Sequence, residues 1–153
     1  MSFSDSRDKT AGRRLALCAL SAVIALLIVG AVSHGVLRHI VQTAPLWFSI
    51  VLGFRGNALA KWAALPCFLF WLVIMTCIWL FLSGWARVIT GHFSTTEIAM
   101  TIIVGVSSMF GIVTAIRWRT ATKSSVAAGI LVLFVAFQIL ALRISLLPSI
   151  ANR

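Results

Sequence analysis

Residues 63–86, AALPCFLFWLVIMTCIWLFLSGWA, form an uncharged stretch of 24 residues that decides the fold class. It contains six aromatic side chains, and its hydroxyl groups are those of Thr76 and Ser83. As an α-helix, 24 residues extend about 36 Å, which exceeds the roughly 30 Å hydrocarbon thickness of a bilayer. Trp62 and Trp85 lie near its two ends, where interfacial aromatic residues are enriched. The stretch therefore predicts a membrane-spanning helix.

The composition of the whole chain agrees with this stretch. Of its 153 residues, 61% are apolar and only 10% are charged, which is far from the balance of a soluble domain. We therefore expect an all-α, polytopic integral membrane protein that forms a single membrane domain of residues 1–153. Four transmembrane helices are predicted after a polar N-terminal tail at residues 1–14, at approximately 15–37, 63–86, 96–116 and 125–147.

A short apolar segment lies between the first two predicted spans. Residues 45–54, PLWFSIVLGF, are too few to cross a bilayer as a helix. An interfacial or re-entrant helix fits this length. A hydrophobic loop packed on the helix ends is the alternative.

The clearest local signal is a capping box at the start of the third span. Ser94 is the predicted N-cap and Glu97 follows three residues later, so that each side chain can bond the other residue's backbone N–H. Phe93 and Ile98 have the spacing of a hydrophobic staple.

The formal charge of +10 arises from 13 Lys and Arg residues against three acids. Because these cations cluster beside apolar segments, we expect them to set membrane topology and to contact anionic lipid headgroups, and not to bind nucleic acid. With four spans, the cations divide almost evenly between the two sides. The basic cluster before the first span favours cytoplasmic termini in a bacterial-type inner membrane.

Two features of the later spans indicate helix packing. Ser107, Gly111 and Ala115 recur every four residues and draw a stripe of small side chains along one helix face. Such stripes allow another membrane helix to approach closely, either from a second copy or from a partner subunit. Gln138, near the middle of the fourth span, is placed to hydrogen-bond another helix.

Other polar residues have two interpretations each. Arg38, Arg55 and Lys61 flank the short apolar segment, where they are candidates for gripping an anionic lipid or a phosphate; ordinary flanking charges are the alternative. Glu97, together with Gln138, is a candidate for a proton or solute path. The capping box already accounts for Glu97, and the first turn of a helix favours an anion.

Catalytic groups are scarce in this sequence. Three acids give little scope for paired-carboxylate chemistry, and Cys18, Cys67 and Cys77 all lie in apolar stretches. With four spans, His92 lies across the bilayer from His34 and His39, which is unfavourable for haem. We therefore expect no enzyme activity, no cofactor and no metal site. The predicted function is that of an accessory, assembly or scaffold subunit, and the alternative is a small oligomeric transporter or channel.

Overall fold

A computed structural model describes residues 3–86 and 91–151, and the side chains of residues 9–86 and 91–150. This part of the chain is helical and contains no strand. The long helices are α1 (Phe3–Val32), α2 (Val36–Phe54), α3 (Leu59–Leu82), α4 (Thr95–Arg117) and α5 (Ser124–Ser145), and a short α6 (Pro148–Ala151) follows. Within the described ranges, five helices are long and apolar enough to cross a membrane.

The prediction of four transmembrane helices is therefore wrong. The short segment 45–54 is the second half of α2, which has 19 residues and extends about 28 Å. Its first half carries Arg38, His39, Gln42 and Thr43, and this polarity suggested a connection outside the membrane. In the structure, Gln42 is 6% exposed and Thr43 is fully buried, so the polar groups in the second turn of α2 face the protein interior.

The break between α1 and α2 falls inside the first predicted span, 15–37. The N–H of Gly35 donates to the carbonyl of Gly30 (2.8 Å), and His34 has a φ of +56°. This is the Schellman arrangement that ends many helices, normally with glycine in the left-handed position. Gly56 and Gly84 occupy that position after α2 and α3. Because histidine replaces glycine at the first of these turns, the sequence gave no strong stop signal there.

The other predicted boundaries differ by smaller shifts. α1 begins at Phe3, inside the segment 1–14 that we expected to be a solvated tail. α3 begins and ends four residues before the predicted span 63–86. α4 and α5 lie close to the predicted spans 96–116 and 125–147.

Helix α3 is the centre of the bundle and contacts each of the other four long helices. α1 packs against α2 and α4, and α2 packs against α5. Among the described residues, α4 and α5 do not contact each other, although only residues 118–123 separate them in the chain. The neighbours of α3 therefore follow the order α4, α1, α2, α5 around it, with an opening between α5 and α4.

The helices alternate in direction, which defines two ends of the bundle. Gly12 of α1 lies against Gly53 of α2, and Lys61 of α3 bonds the carbonyl of Trp118, which follows α4. We call this end the N-face. The opposite end, the C-face, holds the α1–α2 turn, the α3–α4 connection and the end of α5. Because α1 begins at the N-face and α5 ends at the C-face, the expectation that both termini lie on one side is wrong.

The closest approach between α3 and α4 occurs at Gly111. A Cβ atom added at this position would overlap the ring of Phe68, which is fully buried. Gly105, on the same helix, has only an ordinary contact with Met75. The absence of a side chain at Gly111 therefore sets how closely α4 lies on the central helix.

We expect Gly111→Ala to lower the free energy of unfolding by about 1–3 kcal/mol, because the Phe68 ring must move in a filled core. Gly129→Ala is the matched control, since nothing lies within 4 Å of a Cβ atom added there. The control is expected to be as stable as the wild type or slightly more stable, because alanine favours the helix. Denaturation in mixed detergent micelles measures both variants, and equal stability of the two would contradict the close approach.

Candidate functional site

The most distinctive surface is the exposed face of α3 between α4 and α5. Leu69, Val73, Thr76 and Trp79 are exposed and recur every three or four residues, so they share one face of the helix. The Thr76 hydroxyl donates to the carbonyl of Leu72 at 2.8 Å, which leaves an apolar surface. We call this surface the α3 slot. It is concave, because α4 and α5 flank it without meeting across it.

The small-residue stripe of α4 is covered by helices of the same chain. Ser107, Gly111 and Ala115 are buried. The Ser107 hydroxyl donates to the Ser21 hydroxyl of α1 at 3.1 Å, and Gly111 lies against Phe68 of α3. The stripe therefore joins α4 to α1 and α3, and it is not a free surface for a second chain.

Gln138 belongs to a buried polar network between α5 and α2. Its side-chain amide donates to the backbone carbonyl of Gln42 at 3.2 Å, and Gln138 is only 2% exposed. The Gln42 amide donates in turn to the hydroxyl of Ser145 at 2.9 Å, and that hydroxyl donates to the carbonyl of Leu142. Gln138 thus satisfies its amide N–H within the chain.

Sequence reasoning missed Gln42 and Ser145 as partners of Gln138. Gln42, Leu46, Ser49 and Gly53 recur every three or four residues along α2 and are all buried. This helical period, extended through the polar residues before Pro45, was the available signal. We had treated those residues as a connection because of their polarity.

Glu97 forms the predicted capping box. Its carboxylate accepts from the backbone N–H of Ser94 at 2.7 Å, and its own N–H donates to the Ser94 hydroxyl at 3.3 Å. Glu97 begins α4, whereas Gln138 lies on α5, and these helices do not contact each other within the described ranges. The two residues proposed for a proton or solute path therefore do not share a helix interface.

The candidate phosphate contacts Arg38, Arg55 and Lys61 do not come together. Arg38 lies in the first turn of α2 at the C-face, and Arg55 directly follows the last residue of α2 at the N-face. The intervening helix is about 28 Å long. The Lys61 ammonium donates to the carbonyl of Trp118 at 2.8 Å and lies 4.8 Å from the ring centre of Trp62. The grouping was wrong because we took the span between Arg38 and Arg55 for a short interfacial piece.

The histidines and cysteines are arranged differently from the four-span expectation. His34, His39 and His92 all lie toward the C-face, because the α1–α2 turn and the α3–α4 connection share that end. Cys18, Cys67 and Cys77 are free thiols. Within the part of the chain that the structure describes, no three His, Cys, Asp or Glu side chains form a group suited to a metal ion.

Comparison with known proteins adds no relative. No protein-family model matches the chain, and no curated protein or solved structure is significantly similar to it. The functional argument therefore depends on the geometry of the chain itself.

We expect Ser94→Ala to destabilise α4 by about 1 kcal/mol, because the helix loses its N-cap hydroxyl. Glu97→Gln is expected to retain most of the stability, since glutamine also serves in a capping box. Thr96→Ala, at an exposed position in the same turn, is the control. Thermal unfolding in detergent compares the three variants. A Glu97→Gln variant that folds normally but loses proton-dependent solute transport would contradict a purely structural role.

Proposed function

We propose that the protein is a non-catalytic accessory, assembly or scaffold subunit that binds another membrane helix in the α3 slot. The observation that carries this proposal is the packing of α4 and α5 on opposite flanks of α3 without contact between them. This arrangement leaves an apolar face of the central helix open to the bilayer. A partner helix placed there would contact three helices at once.

The chemistry of the slot supports a helix as the occupant. Val73 is 59% exposed and Leu69 is 47% exposed, while the Thr76 hydroxyl is already bonded within α3. Between membrane helices, van der Waals packing replaces the hydrophobic effect as a driving force, so association depends on shape. A concave surface offers more packing contacts than the convex outer face of a single helix. The partner is either a second copy of this chain or another membrane subunit.

The transporter alternative has less support. The polar residue deepest in its helix, Gln138, is sealed at the α2–α5 interface, and Glu97 is engaged in the cap of α4. A path for solute needs polar groups that face a shared opening. The exposed groups of the α3 slot are mainly apolar.

We further propose that the N-face is cytoplasmic, in a membrane of the bacterial inner-membrane type. Among the cations with described side chains, eight lie at the N-face and two at the C-face. The N-face cations are Lys9, Arg13, Arg14, Arg55, Lys61, Arg117, Arg119 and Lys123, and those at the C-face are Arg38 and Arg143. Short cytoplasmic segments of membrane proteins carry an excess of Lys and Arg. The near-even division that we obtained with four spans arose from placing α2 outside the bilayer.

A photoreactive amino acid at Val73 tests the docking proposal in membranes of cells that express the full chain. We expect irradiation to give a discrete protein adduct, because a helix in the slot lies against this position. The control carries the same amino acid at Val51, an exposed valine of α2 outside the slot. The mass of the adduct distinguishes a second copy from another subunit. Adducts with lipid alone at Val73, or the same protein adduct at both positions, would contradict the proposal.

A further inference from the structure

The lipid-facing seam between α1 and α4 contains a groove with a basic end. A groove of about 580 Å³ opens at the N-face and is lined by Arg14 of α1 and by Phe110, Val113 and Arg117 of α4, among other residues. Arg14 and Arg117 are both exposed, and neither forms an ion pair within the described part of the chain. Two like charges thus border one groove without a described counter-charge, which favours an anion between them.

The polarity of this groove changes with depth. Arg117 is the last residue of α4, whereas Val113 and Phe110 lie four and seven residues earlier in the helix. At 1.5 Å per residue, they are about 6 and 10 Å farther into the bilayer. Thr10 and Thr114 add hydroxyl groups to the lining. The groove is therefore charged at the membrane surface and apolar below it, as a phospholipid is.

A second groove continues along the same seam toward the bilayer centre. It encloses about 380 Å³ and is lined by apolar side chains of both helices, including Leu17, Ile24, Ile28 and Ile103. Arg14, Leu17, Ile24 and Ile28 recur at helical spacing, so the two grooves lie on one side of α1. The Ser21 hydroxyl in this lining accepts a hydrogen bond from Ser107. From Arg14 to Ile28 the seam extends about 21 Å, which exceeds the roughly 15 Å depth of one hydrocarbon leaflet.

We propose that the α1/α4 seam is a binding site for an anionic glycerophospholipid. Its phosphate lies between Arg14 and Arg117, and an acyl chain lies along the apolar grooves. Arginine suits this role because its planar guanidinium can donate two parallel hydrogen bonds to phosphate oxygens. The N-face orientation proposed above places this site in the cytoplasmic leaflet, where anionic lipids give a negative surface potential. The site is distinct from the α3 slot, which opens between α4 and α5.

Binding of phosphatidylglycerol to the purified full chain, measured by native mass spectrometry from detergent, tests the headgroup contact. We expect Arg14→Gln combined with Arg117→Gln to weaken binding about tenfold or more, since each change removes a charge-assisted hydrogen bond. Arg119→Gln combined with Lys123→Gln removes the same charge from exposed positions of the same face and is expected to bind as the wild type does. Equal binding by the two double variants would overturn the proposal.

Two further measurements test the acyl contact and the source of the phosphate. Val113→Phe fills the groove and is expected to weaken phosphatidylglycerol binding, whereas Val126→Phe, at a comparably exposed valine of α5, leaves it unchanged. Glycerol 3-phosphate carries the phosphate without acyl chains and is expected not to displace the lipid at millimolar concentration. Displacement by glycerol 3-phosphate, or unchanged binding in Val113→Phe, would show that the site does not hold a phospholipid along the seam.

Discussion

The constraint on which this bundle depends is that a polar group within a bilayer must find its hydrogen-bond partner inside the protein. Helix α2 shows the consequence most clearly. Its Gln42 donates to Ser145 of α5, and its backbone carbonyl at the same residue accepts from Gln138. The hydroxyl groups of Thr43 and Ser49 donate to carbonyls of their own helix. Because these groups are satisfied within the protein, a helix of moderate hydropathy can lie in the membrane beside four more apolar ones.

The central position of α3 follows from its composition. It carries no charge after Lys61, so its whole circumference can lie against other helices or lipid. Four neighbours occupy most of that circumference, and Gly111 allows α4 to lie especially close. The remaining face is the α3 slot. The same packing separates α4 from α5 and leaves the α1/α4 seam at the outer surface, so one arrangement of helices produces both proposed binding surfaces.

Residues with local causes could be predicted from the sequence, and residues with tertiary causes could not. The capping box at Ser94 and Glu97 depends on three adjacent positions, and the uncharged stretch 63–86 needs no partner to indicate a membrane helix. The end of α1 was missed because His34 adopts a backbone conformation that glycine normally supplies. α2 was missed because the burial of Gln42 depends on α5, about a hundred residues later in the chain. Missing α2 then reversed the predicted side of every later segment.

The corrected helix count also changes the reading of the charges. Each connection after α2 moves to the opposite face, which brings Arg55, Lys61, Arg117, Arg119 and Lys123 to the end that holds Arg13 and Arg14. The asymmetry that results is the one expected of a protein oriented by its basic residues. Geometry derived from packing and orientation derived from charge therefore agree, although each rests on different residues.

The measurement that tests this account most directly is the reaction of single cysteines with a membrane-impermeant maleimide on intact cells. The full chain, with Cys18, Cys67 and Cys77 replaced by alanine, carries Ser33→Cys, Asn57→Cys or Ser149→Cys at an exposed position. We predict that the cysteines at positions 33 and 149 react from outside, while that at position 57 reacts only after permeabilisation. Reaction at positions 33 and 57 from the same side would show that α2 does not cross the membrane and would contradict the five-helix account.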